Sequence, residues 1–238
     1  MHLEATAIVC SVLPHGEHGA VVRFLTADDG LVAGYVHGGR SRAQRPVLQP
    51  GNGVFAVLRS RTDSQLPGAT VELTAARAAL ATTATQLGVL TWSTALTARA
   101  LPELVPQPRL FTALGAIIDA IAAGASPLSL GEAVVRYELL LLGELGFGLD
   151  LSACAATVAT IDLGFVSPRS ARAVSRSAAA PFAGRLLPLP GFLLGTDPAD
   201  GAAISAGFQL TQFFLARHVL TGQADLLAER GLLADRWR

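Results

Sequence analysis

Ala20-Val21-Val22-Arg23-Phe24-Leu25-Thr26, then Ala27-Asp28-Asp29-Gly30, then Leu31-Val32-Ala33-Gly34-Tyr35-Val36-His37 is the stretch whose reading decides the fold. Two runs rich in valine and aromatic residues flank a polar turn that ends in glycine, the residue that tolerates positive φ, and this pattern predicts a β-hairpin. On its N-terminal side, Leu3 to Leu13 reads as another strand, stopped by Pro14-His15-Gly16. On its C-terminal side, Gly38 to Pro50 carries a Gly-Gly pair, Pro46, Pro50 and three arginines, the composition of a loop. Val54 to Arg61 and Ala69 to Leu73 supply two further strands. Five short strands within the first eighty residues, with a long loop after the third, predict a small barrel. A five-stranded oligonucleotide-binding (OB) fold fits that count, and an SH3-like barrel fits it almost as well.

After Thr74 the texture turns to alanine, leucine and threonine without strand alternation. Helices are predicted over about 80–101, ended by Pro102, and over about Arg109–Ala123, ended by Gly124. A third starts with Ser129 as N-cap and Glu132 in a capping box and runs to Leu145 and Gly146. The last long one spans Gly201 to Leu220 between Asp200 and Gly222, with a short turn after it at Leu226 to Leu233. The expected class is α+β: an OB-fold nucleic-acid-binding domain over 1–78 and an all-helical domain over 79–238.

The functional classes are narrowed mainly by exclusion. All eighteen basic residues are arginine. Without lysine there is neither a phosphate-binding loop signature nor a Schiff base. The chain holds no Gly-x-Ser-x-Gly elbow, and Gly146 and Gly148 follow a helix rather than a strand, so a dinucleotide fingerprint fails. The central stretch, Tyr137 to Leu194, shows no catalytic signature, and the leucine run 139–142 reads as packing. Arg136 and Glu138 read as surface charges on an amphipathic helix. His15-Gly16-Glu17-His18 reads as a polar turn between strands. Cys154 has no cysteine close in sequence and reads as a small buried hydrophobe. No enzyme, cofactor or metal is expected. No apolar run reaches the roughly 18 residues of a membrane span, Asp119 interrupts the best candidate, and Glu4 stands where a secretory signal would be basic. With only two cysteines, the chain is expected in the cytoplasm.

Charge supplies the positive indication. The formal net charge is zero, yet Asp and Glu are absent between Gly30 and Thr62, where Arg40, Arg42, Arg45, Arg59 and Arg61 fall. They are absent again between Leu163 and Thr196, a window holding Arg169, Arg172, Arg176 and Arg185. Local positive potential of this kind attracts polyanions. The first window nominates Arg40, Arg42, Arg45 and Arg59 for phosphates and Tyr35 for base stacking, and Arg23, on the strand before that window, is assigned to phosphates with them. Phe24 and Phe55 are assigned to the barrel core. In the second window, helical continuation after Ser167-Pro168 would put Arg169, Arg172 and Arg176 on one face, suited to an acidic peptide or a phosphate backbone, and the three are assigned to binding a partner's acidic peptide. The alternative is that they pair with Asp150, Asp162 or Glu144.

Several spaced motifs resemble the RecO family of bacterial recombination mediators. They are Glu4-Ala5-x-Ala7-Ile8-Val9, the Gly16-Glu17 turn, Gly38-Gly39-Arg40-Ser41-Arg42 and Leu48-Gln49-Pro50-Gly51 in the first part. The central ones are Tyr137-Glu138-x-x-Leu141-Leu142, Leu145-Gly146-Phe147, Leu151-x-x-Cys154-Ala155, Val166-Ser167-Pro168-x-Ser170 and Ala173-Val174-Ser175. The resemblance implies an OB fold followed by helices, binding of single- and double-stranded DNA, and annealing of complementary strands. It also implies partnership with RecR and contact with the acidic tail of the single-strand-binding protein, in support of recombinase loading near the nucleoid. Some family members carry a four-cysteine zinc site in the segment where only Cys154 stands here, so the metal is not carried over. Ala178 to Gly184 departs from the family's Gly- and Tyr-containing pattern. Two rivals share these residues: an adaptor whose arginines bind acidic tails without DNA, and an RNA-binding OB module.

Overall fold

The computed structural model describes residues 1–62, 65–182 and 184–237. Five strands open the chain: β1 (His2–His15), β2 (Gly19–Thr26), β3 (Leu31–Val36), β4 (Gly53–Arg59) and β5 (Gly68–Ala75). They close into a barrel of order β1-β2-β3-β5-β4. The fourteen-residue β1 pairs with both β2 and β4, helped by a register shift between Val9 and Ser11 that bends it around the barrel. The barrel shuts where β3 and β5 pair in parallel, Tyr35 opposite Gly68 and Val36 opposite Ala69. This is an OB-type closure rather than an SH3-like one.

Alternation decides the interior. On β4, Val54, Ala56 and Leu58 point inward while Phe55, Val57 and Arg59 point out. Phe24 is fully buried, as expected, but Phe55 is exposed. It belongs to the outer set because the strand's period of two fixes its face once Val54 and Ala56 are inside.

Two helices follow, α1 (Ala84–Ala100) and α2 (Pro108–Ala122). The first begins later than its alanine content suggested, because Thr83 and Gln86 form a reciprocal capping box that fixes its N-terminus. The chain groups into two compact units, Met1–Ala125, with the barrel and these two helices, and Ser126–Arg238.

The second unit contains α3 (Pro127–Glu144), α4 (Gly201–Phe214) and α5 (Ala224–Ala234). The N-cap of α3 is Ser126, not Ser129: the Ser126 hydroxyl accepts the Ser129 N–H, and Pro127 sits in the first turn, where no backbone donor is needed. Glu132 is thereby freed to pair with Arg136 one turn on, at 2.8 Å. Asp200 caps α4 as expected, and the helix runs on into a π-helical turn, Leu215–Val219. This helical unit also holds a small sheet, which the sequence reading did not include: β6 (Leu163–Val166), β7 (Ala173–Ser175) and β8 (Leu187–Pro188), in the order β7-β6-β8. Among the described residues no helix is long and apolar enough to cross a membrane.

Candidate nucleic-acid interface

The loop between β3 and β4 is not slack. Leu48 drops into the barrel core, 3% exposed, and holds the middle of the loop down. Asn52 is 2% exposed and ties its end. Its amide donates to the carbonyls of Pro46 (2.8 Å) and Val47 (3.2 Å), and its Oδ1 accepts the N–H of Ala78 (3.0 Å). Backbone bonds from Gly51 to Val9 and from Val9 to Asn52 stitch the same end to β1. Sequence reasoning passed over Asn52; its position just before a strand, after Pro50-Gly51, was the only signal.

What the pinned loop presents is charge. Arg40, Arg42 and Arg45 are all exposed. Arg40 reaches back to the turn between β1 and β2, donating to the carbonyls of Glu17 (3.2 Å) and Gly16 (3.5 Å). These are neutral partners, so its charge is not cancelled. Among the described residues, the side chains of Arg42 and Arg45 make no ion pair. Arg40 and Arg45 line a groove of about 370 Å³ together with Val12, Pro14, Leu48 and Gln49, and among the described residues no acid lines it.

The strand arginines divide. Arg23 donates to the carbonyl of Ala98 at the end of α1 and faces Glu103 at 3.3 Å. It holds a helix C-terminus against β2, a structural task that the sequence assignment to phosphates did not foresee, because the partner lies 75 residues away. Arg59 is exposed, with a long 3.9 Å approach to Glu4 and a 3.4 Å contact to His2. It stands across a second groove, of about 550 Å³, from Tyr35 and His37.

The second arginine window is not a helix. Ser167 to Arg172 is the tight turn between β6 and β7, with Ala171 at φ 55°, so the three arginines share no helical face. Arg172 pairs with Asp150 at 3.3 Å and Arg176 with Asp162 at 3.4 Å, as the alternative reading had it. Hydrogen bonds from Ser152, and then the Arg172 charge, hold the Asp150 carboxyl below the usual carboxylate range. Arg169 remains exposed, and among the described residues its side chain has no ion pair. Glu138 is a further correction: it is not on the surface but fully buried, against Arg230.

Cys154 is fully buried, yet in a polar knuckle rather than an apolar one. The N–H and hydroxyl of Ser175 both donate to its sulfur, at 3.3 and 3.5 Å. The Thr157 hydroxyl first, and these Ser175 donors next, lower its thiol to about 6, whereas burial pushes Cys10 up to about 12. A pKa lowered on folding stabilises the fold above the unfolded thiol's pKa, and this contribution is lost as pH falls through about 6. Ultraviolet thiolate absorbance, with Cys154→Ala as the blank, is expected to appear with a midpoint near that value. A midpoint in the ordinary thiol range would show that burial outweighs the three donors. Among the described residues no group of three or more His, Cys, Asp or Glu is placed to hold a metal ion.

Comparison with known proteins agrees with this architecture. The family model for the recombination protein O N-terminal part matches residues 1–77, and that for its C-terminal part matches 82–224. The chain belongs to the RecO family. The DNA repair protein RecO of Rhizobium etli is 48% identical over 223 residues, covering 92% of this chain and 85% of the relative. The Rhodospirillum rubrum RecO is 44% identical over 236 residues, covering 97% and 92%. The two RecO models meet between residues 77 and 82, at the end of the barrel, whereas the packing boundary falls after α2.

Proposed function

We propose that this protein is a non-enzymatic DNA repair mediator that captures DNA on the arginine loop of its barrel. The observation that carries the reading is that loop: three exposed arginines held in place by Leu48 and Asn52, in a chain of the RecO family. Binding releases the counterions condensed on the phosphates, which favours association and makes it depend on salt. Two strands held beside the same cationic surface repel each other less, and annealing of complementary single strands follows. Arg59 and Tyr35 extend the contact along the barrel, while Arg23 is left out because its charge already faces Glu103.

On this reading the protein acts with RecR in loading the recombinase on strands coated by single-strand-binding protein, in the cytoplasm around the nucleoid. Arg169 is the residue of the second window best placed to meet that protein's acidic tail, since Arg172 and Arg176 already face carboxylates.

Fluorescence anisotropy of a labelled single strand, titrated against salt, tests the core of the proposal. The expected result is binding whose log K falls linearly with log salt, by about 0.7 for each phosphate contact. Absence of DNA binding at low salt, together with retained binding of an acidic peptide, would make the protein an adaptor. A strong preference for RNA of the same sequence would make it an RNA module.

A further inference from the structure

Gly19 sits at the start of β2 opposite His15 of β1. Its backbone is not in the left-handed region, so its conformation does not require glycine. Space does. A Cβ at this position would lie 2.2 Å from the Tyr35 hydroxyl oxygen and 2.4 Å from two of its ring carbons. Tyr35 pairs directly with Val21, and Gly19 is the next residue of β2 on the same face, the diagonal neighbour that an aromatic side chain reaches. The tyrosine ring therefore lies down across the strand in the gap left by the missing side chain. His15 meets it edge-on at 5.8 Å (81°) and His37 at 6.3 Å (70°), both exposed.

Filling a gap over glycine is a structural service in itself. What turns it into a binding feature is the groove beside it. Tyr35 and His37 form one side, Arg59 the other, and Val57, Gly68, Ala69 and Thr70 a floor of small side chains. No acid lines it. The groove of the arginine loop, lined by Arg40 and Arg45, borders the same hairpin end: Pro14 and Ala20 line it, and their neighbours His15 and Gly19 frame the ring.

We propose that Tyr35, seated on Gly19 between His15 and His37, is a stacking site for one unpaired nucleobase of single-stranded DNA, with Arg59 and the loop arginines holding the flanking phosphates. A fixed aromatic face between two cationic positions matches the alternation of base and phosphate along a single strand. A duplex keeps its bases stacked on one another and offers nothing to the ring. The site thus gives the barrel a preference for single strands that charge alone does not. This inference rests on the DNA-binding reading above, in which Gly19, His15 and His37 have no part; here they are positioning residues.

The probe is a short single strand carrying a fluorescent adenine analogue, compared with its duplex. Wild-type protein is expected to quench the analogue in the single strand and not in the duplex. Tyr35→Leu is expected to abolish the quenching and weaken single-strand affinity about ten-fold, the value of one stacked base, while duplex affinity and the salt slope stay unchanged. Gly19→Ala, which keeps the tyrosine but lifts its ring, is expected to do the same, and Tyr35→Phe to retain wild-type behaviour. The wild-type measurement needs no variant to fold, and absence of quenching there overturns the proposal. Equal weakening of single strand and duplex by a folded Tyr35→Leu, or loss on Tyr35→Phe, overturns it as well. Salt-dependent binding without quenching would leave the mediator reading standing and remove only the stacking site, whereas absence of binding at low salt would remove both.

Discussion

Arg230→Ala is expected to lower the stability of the helical unit by about 3–5 kcal/mol. Arg230 and Glu138 are both fully excluded from solvent, and their pairing is bidentate, Nε to Oε1 at 2.8 Å and Nη2 to Oε2 at 2.7 Å. The guanidinium also donates to the Phe208 carbonyl (3.0 Å), Thr211 Oγ1 (2.7 Å) and Gln212 Oε1 (3.3 Å), and lies 4.9 Å from the centre of the Phe208 ring. The Thr211 hydroxyl donates in turn to the Glu138 carboxylate. One cation thus ties α3, α4 and α5 together.

Removing it leaves a buried carboxylate without its counter-charge, and that uncompensated desolvation, rather than a lost attraction, sets the size of the effect. The double variant Glu138→Leu with Arg230→Met follows from the same reasoning. It removes both charges, keeps most of the volume, and is expected to recover a large part of the loss. Chemical denaturation of the three proteins decides the matter. A loss below about 1 kcal/mol for Arg230→Ala would mean that the pair behaves like a surface one.

This pair also marks where sequence reading stops. Glu138 and Arg230 are 92 residues apart, and nothing in the local pattern of either distinguishes a buried ion from a solvated one. The strands fared better, because a period of two and the turn residues between runs are local signals. Phe55 was misplaced although Val54, Ala56 and Leu58 already defined the inner face, so the alternation itself held the answer. The start of α3 was misassigned because Ser129 and Glu132 make a good box on paper, while Pro127 places the real cap three residues earlier. The sheet of β6, β7 and β8 was lost because its strands are two to four residues long, too short for periodicity to register. Within the interface, the arginine loop could be read from composition alone. The device that stiffens it could not, since Asn52 acts through carbonyls five and six residues back and through the Ala78 N–H.

That stiffening sets the expected outcome at the loop itself. Replacing Arg40, Arg42 and Arg45 together by alanine is expected to reduce the slope of log K against log salt by about 2, for three phosphate contacts on a single strand. At physiological salt this corresponds to a loss of affinity on the order of 50-fold, shrinking towards nothing as the salt concentration approaches molar. The fold is expected to survive. The loop is pinned by the hydrogen bonds of Asn52 and the burial of Leu48, and among the described residues Arg40 alone of the three arginine side chains makes a hydrogen bond, to two backbone carbonyls on the neighbouring hairpin turn. Circular dichroism and the denaturation midpoint check this independently of DNA. The complementary variant is Asn52→Ala, which leaves every arginine in place but frees the loop. It is expected to weaken binding less than the triple variant and to leave the salt slope unchanged, because the number of phosphates neutralised is the same and only the ordering of the loop is lost. If the triple variant keeps the wild-type slope, the phosphates are held elsewhere on the chain. If Asn52→Ala changes the slope as much as the triple variant does, the arginines act only when the loop is held in place.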